Sequence, residues 1–177
     1  MVRFQRQPPG TAITRASLIL GGAFTAAGVW LIVDGRERAG GLAAAAAAAL
    51  LLAGGHRANH GAGGPLDRML TELLDRSWDG ATLGAIIWRW VSIEPAIALA
   101  AIVALCGSFL SSYVRARGAA LGYSVEESHV TRGLRYGLIS LGLVTGALAW
   151  AIWTAATVSV IATLVRTSQV AREERAA

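Results

Sequence analysis

Residues 70–84, LTELLDRSWDGATLG, place an acidic stretch inside a chain that is otherwise strongly apolar. Glu72, Asp75 and Asp79 are spaced three and four residues apart, so a helix carries all three carboxylates on one face. An ionisable side chain inside a membrane span costs about 2.5–3.5 kcal/mol on insertion scales and usually faces a bundle interior or a wet cavity. The stretch therefore predicts either an internal polar site or a helix that enters the membrane with its acids paired to loop arginines.

The composition of the whole chain is that of an integral membrane protein. Of its 177 residues, 54% are hydrophobic and only 15% are charged, which is too apolar for a soluble domain of this length. All 16 basic side chains are arginine, and the formal net charge of +5 fits cytoplasmic loops without requiring a nucleic-acid partner. The single cysteine, Cys106, excludes an internal disulfide and a cysteine metal site within one chain.

Apolar stretches predict an all-α fold, with six transmembrane helices in one membrane domain covering residues 1–177. The last two stretches form an unbroken apolar region, 138–165, which as one helix would be about 42 Å long against a hydrocarbon core of about 30 Å. Two short spans joined by a turn near 146–150 are preferred, and one long tilted helix is the alternative. The six spans are expected at about 13–33, 39–55, 66–91, 95–113, 134–148 and 149–165.

The distribution of arginine favours both termini on the cytoplasmic side of the membrane. With six crossings, Arg36, Arg38 and Arg89 remain outside, each near an acidic residue. The acidic stretch 70–84 then begins near the cytoplasmic boundary, so we expect a site that faces the cytoplasm. The arginines that fall inside are Arg3, Arg6, Arg15, Arg57, Arg68, Arg115, Arg117, Arg132, Arg135, Arg166, Arg172 and Arg175.

Four arginines lie close together in sequence at the junction of the fourth and fifth predicted spans. Arg115 and Arg117 end the fourth span, and Arg132 and Arg135 begin the fifth. Two pairs of guanidinium groups across one short loop would form an anion site, because arginine offers bidentate hydrogen bonds to phosphate. The alternative is that these arginines signal topology only.

Four segments carry the residues of a known motif set: PPGTAITRASLILGG at 8–22, PLDRMLTELLDRSWDGATLGAIIW at 65–88, SYVRARGAALG at 112–122 and VTRGLRYGLI at 130–139. Together they resemble the CDP-alcohol phosphatidyltransferase family, in particular its actinobacterial phosphatidylinositol-phosphate synthases. The resemblance implies six spans and a cytoplasm-facing site. Members of the family are usually homodimers, so a homodimer or a heterodimer with an intact paralogue is implied.

The defining motif of that family, D-x2-D-G-x2-A-R-x8-G-x3-D-x3-D, is degenerate here. Without gaps, its last Asp falls on Asp75 and its first Gly on Gly54, whereas its first three Asp fall on Leu50, Ala53 and Thr71. In the family the first three acids hold a divalent metal over the CDP pyrophosphate, and the last deprotonates the acceptor hydroxyl. Leu50 and Ala53 offer no side-chain oxygen, and Thr71 is a poor ligand for Mg²⁺ or Mn²⁺. The resemblance thus implies no well-formed metal site.

Other residues of the site are assigned by the same resemblance. Arg115, Arg132 and Arg135 fall where the synthases bind the phosphate of their acceptor, and Asp75 would be the general base. From their positions on either side of Thr71, Asp67 and Asp79 are possible substitutes that could partly replace the lost carboxylates.

The resemblance predicts a protein of phospholipid biosynthesis in a bacterial plasma membrane. Its activity would be the transfer of a phosphatidyl group from a CDP-diacylglycerol-like lipid to a polyol or polyol phosphate, with Mg²⁺ or Mn²⁺ if the chain is active. The loss of three motif carboxylates predicts impaired catalysis. The alternatives are a non-catalytic lipid- or anion-binding subunit that partners an intact paralogue, and a membrane scaffold.

Overall fold

The computed structural model describes residues 11–123 and 129–176, and this part of the chain is almost entirely helical. No strand occurs within these two ranges, which confirms the prediction of an all-α fold. A short π-helical segment, Ala58–Ala62, continues the second helix. The six α-helices are α1 Thr11–Val33, α2 Glu37–Arg57, α3 Pro65–Trp90, α4 Pro95–Ala120, α5 His129–Thr145 and α6 Leu148–Ala176.

Proline and glycine set several of these boundaries. Pro65 and Pro95 stand at the first positions of α3 and α4, where the missing N–H group would have no helical partner in any case. The long apolar region 138–165 is divided at Gly146, whose φ of +79° is a left-handed conformation that favours glycine. The chain therefore forms two helices there, α5 and α6.

Four helices, α1, α2, α4 and α6, are long and apolar enough to cross a membrane. The two remaining helices, α3 and α5, do not meet that measure, because α3 carries the acidic stretch with its neighbouring arginines and α5 is 17 residues long. Six crossings, with α3 and α5 as spans, stay a prediction. These two helices, which length and composition do not identify as spans, carry the buried charged residues described below.

The helices pack as a closed ring, in the order α1, α2, α5, α6, α4, α3 and back to α1, with α2 also against α3. Within the described ranges, no Cα atom of α3 lies within 8 Å of a Cα atom of α5. These two helices face each other across the interior of the bundle, and long side chains bridge the gap between them. The interior of the bundle is therefore the place where charged residues of α3 and α5 meet.

One close helix approach that constrains a single residue lies between α4 and α6. A Cβ atom on Gly107 would lie 2.9 Å from the Cβ of Ser159 and 3.0 Å from its carbonyl carbon. Backbone atoms cannot move aside as a flexible side chain can, so this position requires glycine.

We expect Gly107→Ala to destabilise the fold, because the added methyl group pushes α6 away from α4. The cost of such overpacking is about 1–3 kcal/mol. The measurement is the apparent Tm of the full chain in detergent, which should fall by several degrees.

Gly84→Ala in α3 is the matched control, since no atom outside its own helix lies within 4 Å of a Cβ there. It should keep or raise the Tm, because alanine favours a helix over glycine by up to about 1 kcal/mol. Equal Tm values for the two variants would show that the α4–α6 contact does not restrict this position.

Candidate functional site

Asp79 is a fully buried carboxylate in the interior of the bundle, with 0% of its surface exposed. Arg135 of α5 donates two hydrogen bonds to it, from Nε to Oδ1 at 2.9 Å and from Nη2 to Oδ2 at 2.7 Å. The Ser108 hydroxyl of α4 also donates to Oδ2, and Nη1 of Arg76 lies 3.0 Å from the same oxygen. Asp79 therefore links three helices through charge-assisted hydrogen bonds.

Asp75, one turn earlier on α3, forms a second bridge to α5. Its Oδ2 makes an ion pair with Nη1 of Arg132, and its Oδ1 accepts a hydrogen bond from the Tyr136 hydroxyl at 3.1 Å. The ring of Tyr136 packs on Trp78, with 4.1 Å between the ring centroids. The carboxylate of the would-be general base is thus held by two side chains of α5.

A cavity of about 300 Å³ lies beside these bridges, enclosed by α3, α4, α5 and α6. We call it the arginine cavity. Among the residues that the structure describes, two acids line it, Glu72 and Asp75, and Nη2 of Arg115 lies 3.0 Å from Oε1 of Glu72. Its positive groups outnumber its carboxylates, so it suits an anion. The five arginines that line it are Arg76, Arg115, Arg132, Arg135 and Arg166.

The structure brings the three predicted acceptor arginines, Arg115, Arg132 and Arg135, to this one cavity. Arg166 lines the same cavity, although its place in the sequence indicated only the orientation of the chain in the membrane. Nη1 of Arg166 donates to the hydroxyl of Ser111 at 2.7 Å and to its carbonyl oxygen at 3.1 Å. No local signal could have placed Arg166 here, because α6 meets α4 only in the folded bundle.

The motif positions on α2 lie away from the arginine cavity. Leu50 is half-buried and Ala53 is exposed, and neither side chain has an oxygen atom. Gly54 is buried against α1, where a Cβ atom would lie 3.0 Å from Cδ2 of Leu18. Helix α2 therefore packs with small and apolar residues at the positions where the family motif has carboxylates.

The motif position on α3, Thr71, is also unsuited to a metal. Its hydroxyl donates to the carbonyl oxygen of Asp67 at 2.8 Å, and its methyl group faces α2. A Cβ atom on Gly55 would lie only 2.7 Å from that methyl carbon. The space between α2 and α3 is thus filled by close apolar contact.

The two substitute carboxylates are already held by other groups. Asp67 accepts hydrogen bonds from Nε of Arg15 at 2.8 Å and from the backbone N–H of Gly64 at 2.8 Å, which caps the start of α3. Asp79 is enclosed by the contacts described above. Within the described ranges, no three His, Cys, Asp or Glu side chains converge as a metal-binding group. Since Mg²⁺ and Mn²⁺ require several oxygen ligands, the residues present here do not fit the metal that the resemblance implies.

We expect Asp79→Asn to destabilise the protein strongly, because it leaves Arg135 buried without its counter-charge. Breaking one partner of a buried ion pair costs about 3–5 kcal/mol. Removing both charges, in Asp79→Asn/Arg135→Gln, should return part of the lost stability. The measurement is the apparent Tm of the full chain in detergent.

Glu37→Gln is the control for that experiment, since Glu37 and Arg89 form a partly exposed pair at 3.4 Å. Such a pair contributes about 0–1 kcal/mol. A loss after Asp79→Asn no larger than after Glu37→Gln would contradict a structural role for the buried bridge.

Comparison with known proteins finds similarity to enzymes of phospholipid synthesis. No family model matches it. Over 97 residues, 52% of this chain, it is 36% identical to the phosphatidylinositol phosphate synthase of Corynebacterium glutamicum. That match covers 44% of the relative, so the similarity spans less than half of the length of that protein.

The fold is also that of solved structures of the Mycobacterium tuberculosis phosphatidylinositol phosphate synthase. With CDP-DAG bound, that enzyme gives a TM-score of 0.75 at 24% identity, over 89% of this chain and 85% of its own. The apo form gives 0.74 at 25% identity, over 90% and 95%. The complex with manganese and citrate gives 0.75 at 24% identity, over 91% and 88%. These similarities confirm the resemblance seen in the sequence: the chain has the fold of these synthases and is similar to CDP-alcohol phosphatidyltransferases, in particular to actinobacterial phosphatidylinositol phosphate synthases. Its four long apolar helices are those of an integral membrane protein.

Proposed function

We propose that this protein serves phospholipid biosynthesis by binding a phosphorylated acceptor in the arginine cavity, and that it does not carry out metal-dependent phosphatidyl transfer with its own side chains. The observation that carries the proposal is the contrast between the arginines that would bind the acceptor and the carboxylates that would bind the metal. The cavity keeps the arginines Arg115, Arg132 and Arg135, whereas Leu50, Ala53 and Thr71 replace the metal-binding carboxylates.

The charge of the arginine cavity supports the anion-binding half of the proposal. Its guanidinium groups come from four different helices, and they converge on a space small enough for a phosphate and a compact alcohol. The bridges to Asp75 and Asp79 hold Arg132 and Arg135 in place before any ligand arrives. Such preorganisation reduces the entropy that binding would otherwise cost.

The chemistry of phosphatidyl transfer supports the other half. The reaction breaks a P–O bond of the CDP-lipid pyrophosphate and leaves negative charge on the departing CMP. A divalent cation normally offsets that charge while it orients the reacting groups. In this chain the donor atoms for such a cation are missing from α2, and Asp67 on α3 is held by Arg15. Asp75, the would-be base, is paired with Arg132 and Tyr136 of α5.

The missing carboxylates favour a role beside an intact paralogue. We infer that the chain forms a dimer, with itself or with such a paralogue, whose own metal site would catalyse transfer from a CDP-lipid. In this arrangement the termini and the arginine cavity face the cytoplasm, as the distribution of arginine favours.

We expect the purified chain to release no CMP from CDP-diacylglycerol with inositol phosphate as acceptor, at any concentration of Mg²⁺ or Mn²⁺ in a titration. The physical reason is the absence of a carboxylate set that holds the metal over the donor. The measurement is CMP production by chromatography, with the Corynebacterium glutamicum synthase as a positive control in the same detergent.

Asp75→Asn tests whether any CMP release that is observed comes from this chain. Metal-dependent CMP release by the unaltered chain that is lost in Asp75→Asn would show an active enzyme and overturn this part of the proposal. Release that survives the substitution would point to a contaminating enzyme in the preparation.

We expect Arg115→Ala to weaken the binding of inositol phosphate, because it removes a guanidinium group that lines the cavity. A charge-assisted hydrogen bond contributes about 1.5–3 kcal/mol, so the Kd should rise about 10–100-fold. Isothermal titration of the full chain in detergent measures this.

Arg117→Ala is the matched control, since Arg117 is exposed, lies two residues along the same helix and does not line the cavity. It removes the same formal charge and should leave the Kd nearly unchanged. Equal Kd values for the two variants would mean that overall charge, and not the cavity, controls binding.

A further inference from the structure

A second hollow, of about 360 Å³, runs along α6 next to the arginine cavity. We call it the α6 groove. Val158, Ile161 and Val165 line it, and the side chains of Ile161 and Val165 are about half exposed, at 53% and 49%. Because α6 is one of the helices able to cross a membrane, this groove opens on a helix face that lipid would contact.

The α6 groove and the arginine cavity are continuous. Thr131, Ala162 and Arg166 line both of them. The combined space is therefore amphipathic, with guanidinium groups in the cavity and aliphatic side chains along the groove. A soluble polyol phosphate would fill only the charged part.

The groove has the length of one lipid leaflet. Its lining residues on α6 recur at helical spacing from Val158 to Gln169, which places them on one face. Eleven residues of helical rise are about 16 Å, which is close to half of a hydrocarbon core about 30 Å thick. Arg166 and Gln169 stand at one end of this face, and the aliphatic side chains occupy the rest.

Gln169 provides an independent sign of a ligand. Its Oε1 atom is buried and accepts no hydrogen bond from the part of the chain that the structure describes. A buried acceptor without a donor costs about 1–3 kcal/mol, so such atoms usually meet a ligand or water. A hydroxyl group carried by a ligand beside Arg166 would donate to it.

We infer that the arginine cavity and the α6 groove together bind a membrane lipid with a phosphate monoester headgroup. The phosphate lies among the arginines beside Arg166, a headgroup hydroxyl reaches Gln169, and one acyl chain follows α6 past Val165 and Ile161 towards Val158. The inference rests on the anion binding proposed above, and it narrows the ligand of that cavity to a phosphorylated lipid.

The test compares two probes that share a headgroup, lysophosphatidic acid and glycerol phosphate, on the full chain in phosphatidylcholine nanodiscs. We expect the lipid to bind at least about 10-fold more tightly than the soluble phosphate, a difference of about 1.4 kcal/mol. Ile161 lines the α6 groove but not the arginine cavity, so Ile161→Trp should fill the groove alone. It should weaken the binding of lysophosphatidic acid about 10-fold or more and leave the affinity for glycerol phosphate unchanged.

Leu164→Trp is the matched control, because Leu164 is 64% exposed on α6 and lines neither space. It should change neither affinity. If Ile161→Trp does not fold, Val158→Phe fills the apolar end of the same groove and carries the same expectation.

Each remaining outcome separates this inference from the function on which it rests. Equal affinity for the two probes, or lipid binding that survives the filled groove, would overturn the lipid ligand while leaving the anion site intact. An equal loss of affinity for both probes in Ile161→Trp would overturn it as well, because the substitution would then act by disturbing the arginine cavity. Failure of both probes to bind the unaltered chain would contradict the anion site itself.

Discussion

The buried bridges between α3 and α5 are the interactions on which the interior of this bundle depends. Removing a charge from water costs several kcal/mol, and a partner must restore that free energy. Asp75 meets Arg132 and Asp79 meets Arg135, so the charges compensate one another in pairs. The backbones of α3 and α5 do not touch in the described ranges, so these side chains form the direct connection between the two helices.

The same bridges explain why a cavity with arginines can exist without a metal site. In each bridge a guanidinium group supplies the positive charge that compensates a buried carboxylate. The carboxylates are neutralised inside the protein, and Arg132 and Arg135 still present N–H groups to the cavity. Asp67 shows the same principle at the end of α3, where Arg15 and a backbone N–H complete its hydrogen bonds. This arrangement suits the anion binding proposed above.

The sequence predicts those parts of the site that depend on local spacing. The shared face of Asp75 and Asp79 follows from helical periodicity, and Arg115 and Arg132 come together because they end and begin consecutive helices. The pairing of Asp79 with Arg135 depends on how far each helix is rotated, which periodicity does not determine. The contribution of Arg166 depends on α6 returning beside α4. Length and composition do not identify α3 and α5 as spans, because α3 carries charged residues and α5 is only 17 residues long.

The pairwise compensation in the interior restricts how this protein can diverge. A substitution of Asp79 removes the counter-charge of the buried Arg135, so a lineage must pass through a destabilised protein before a second change arrives. Leu50 and Ala53 face no such barrier, since one is half-buried, the other is exposed and neither is part of a charged pair. Substitutions at these α2 positions can therefore accumulate one residue at a time, while folding itself constrains the arginines that pair with α3, independently of any ligand.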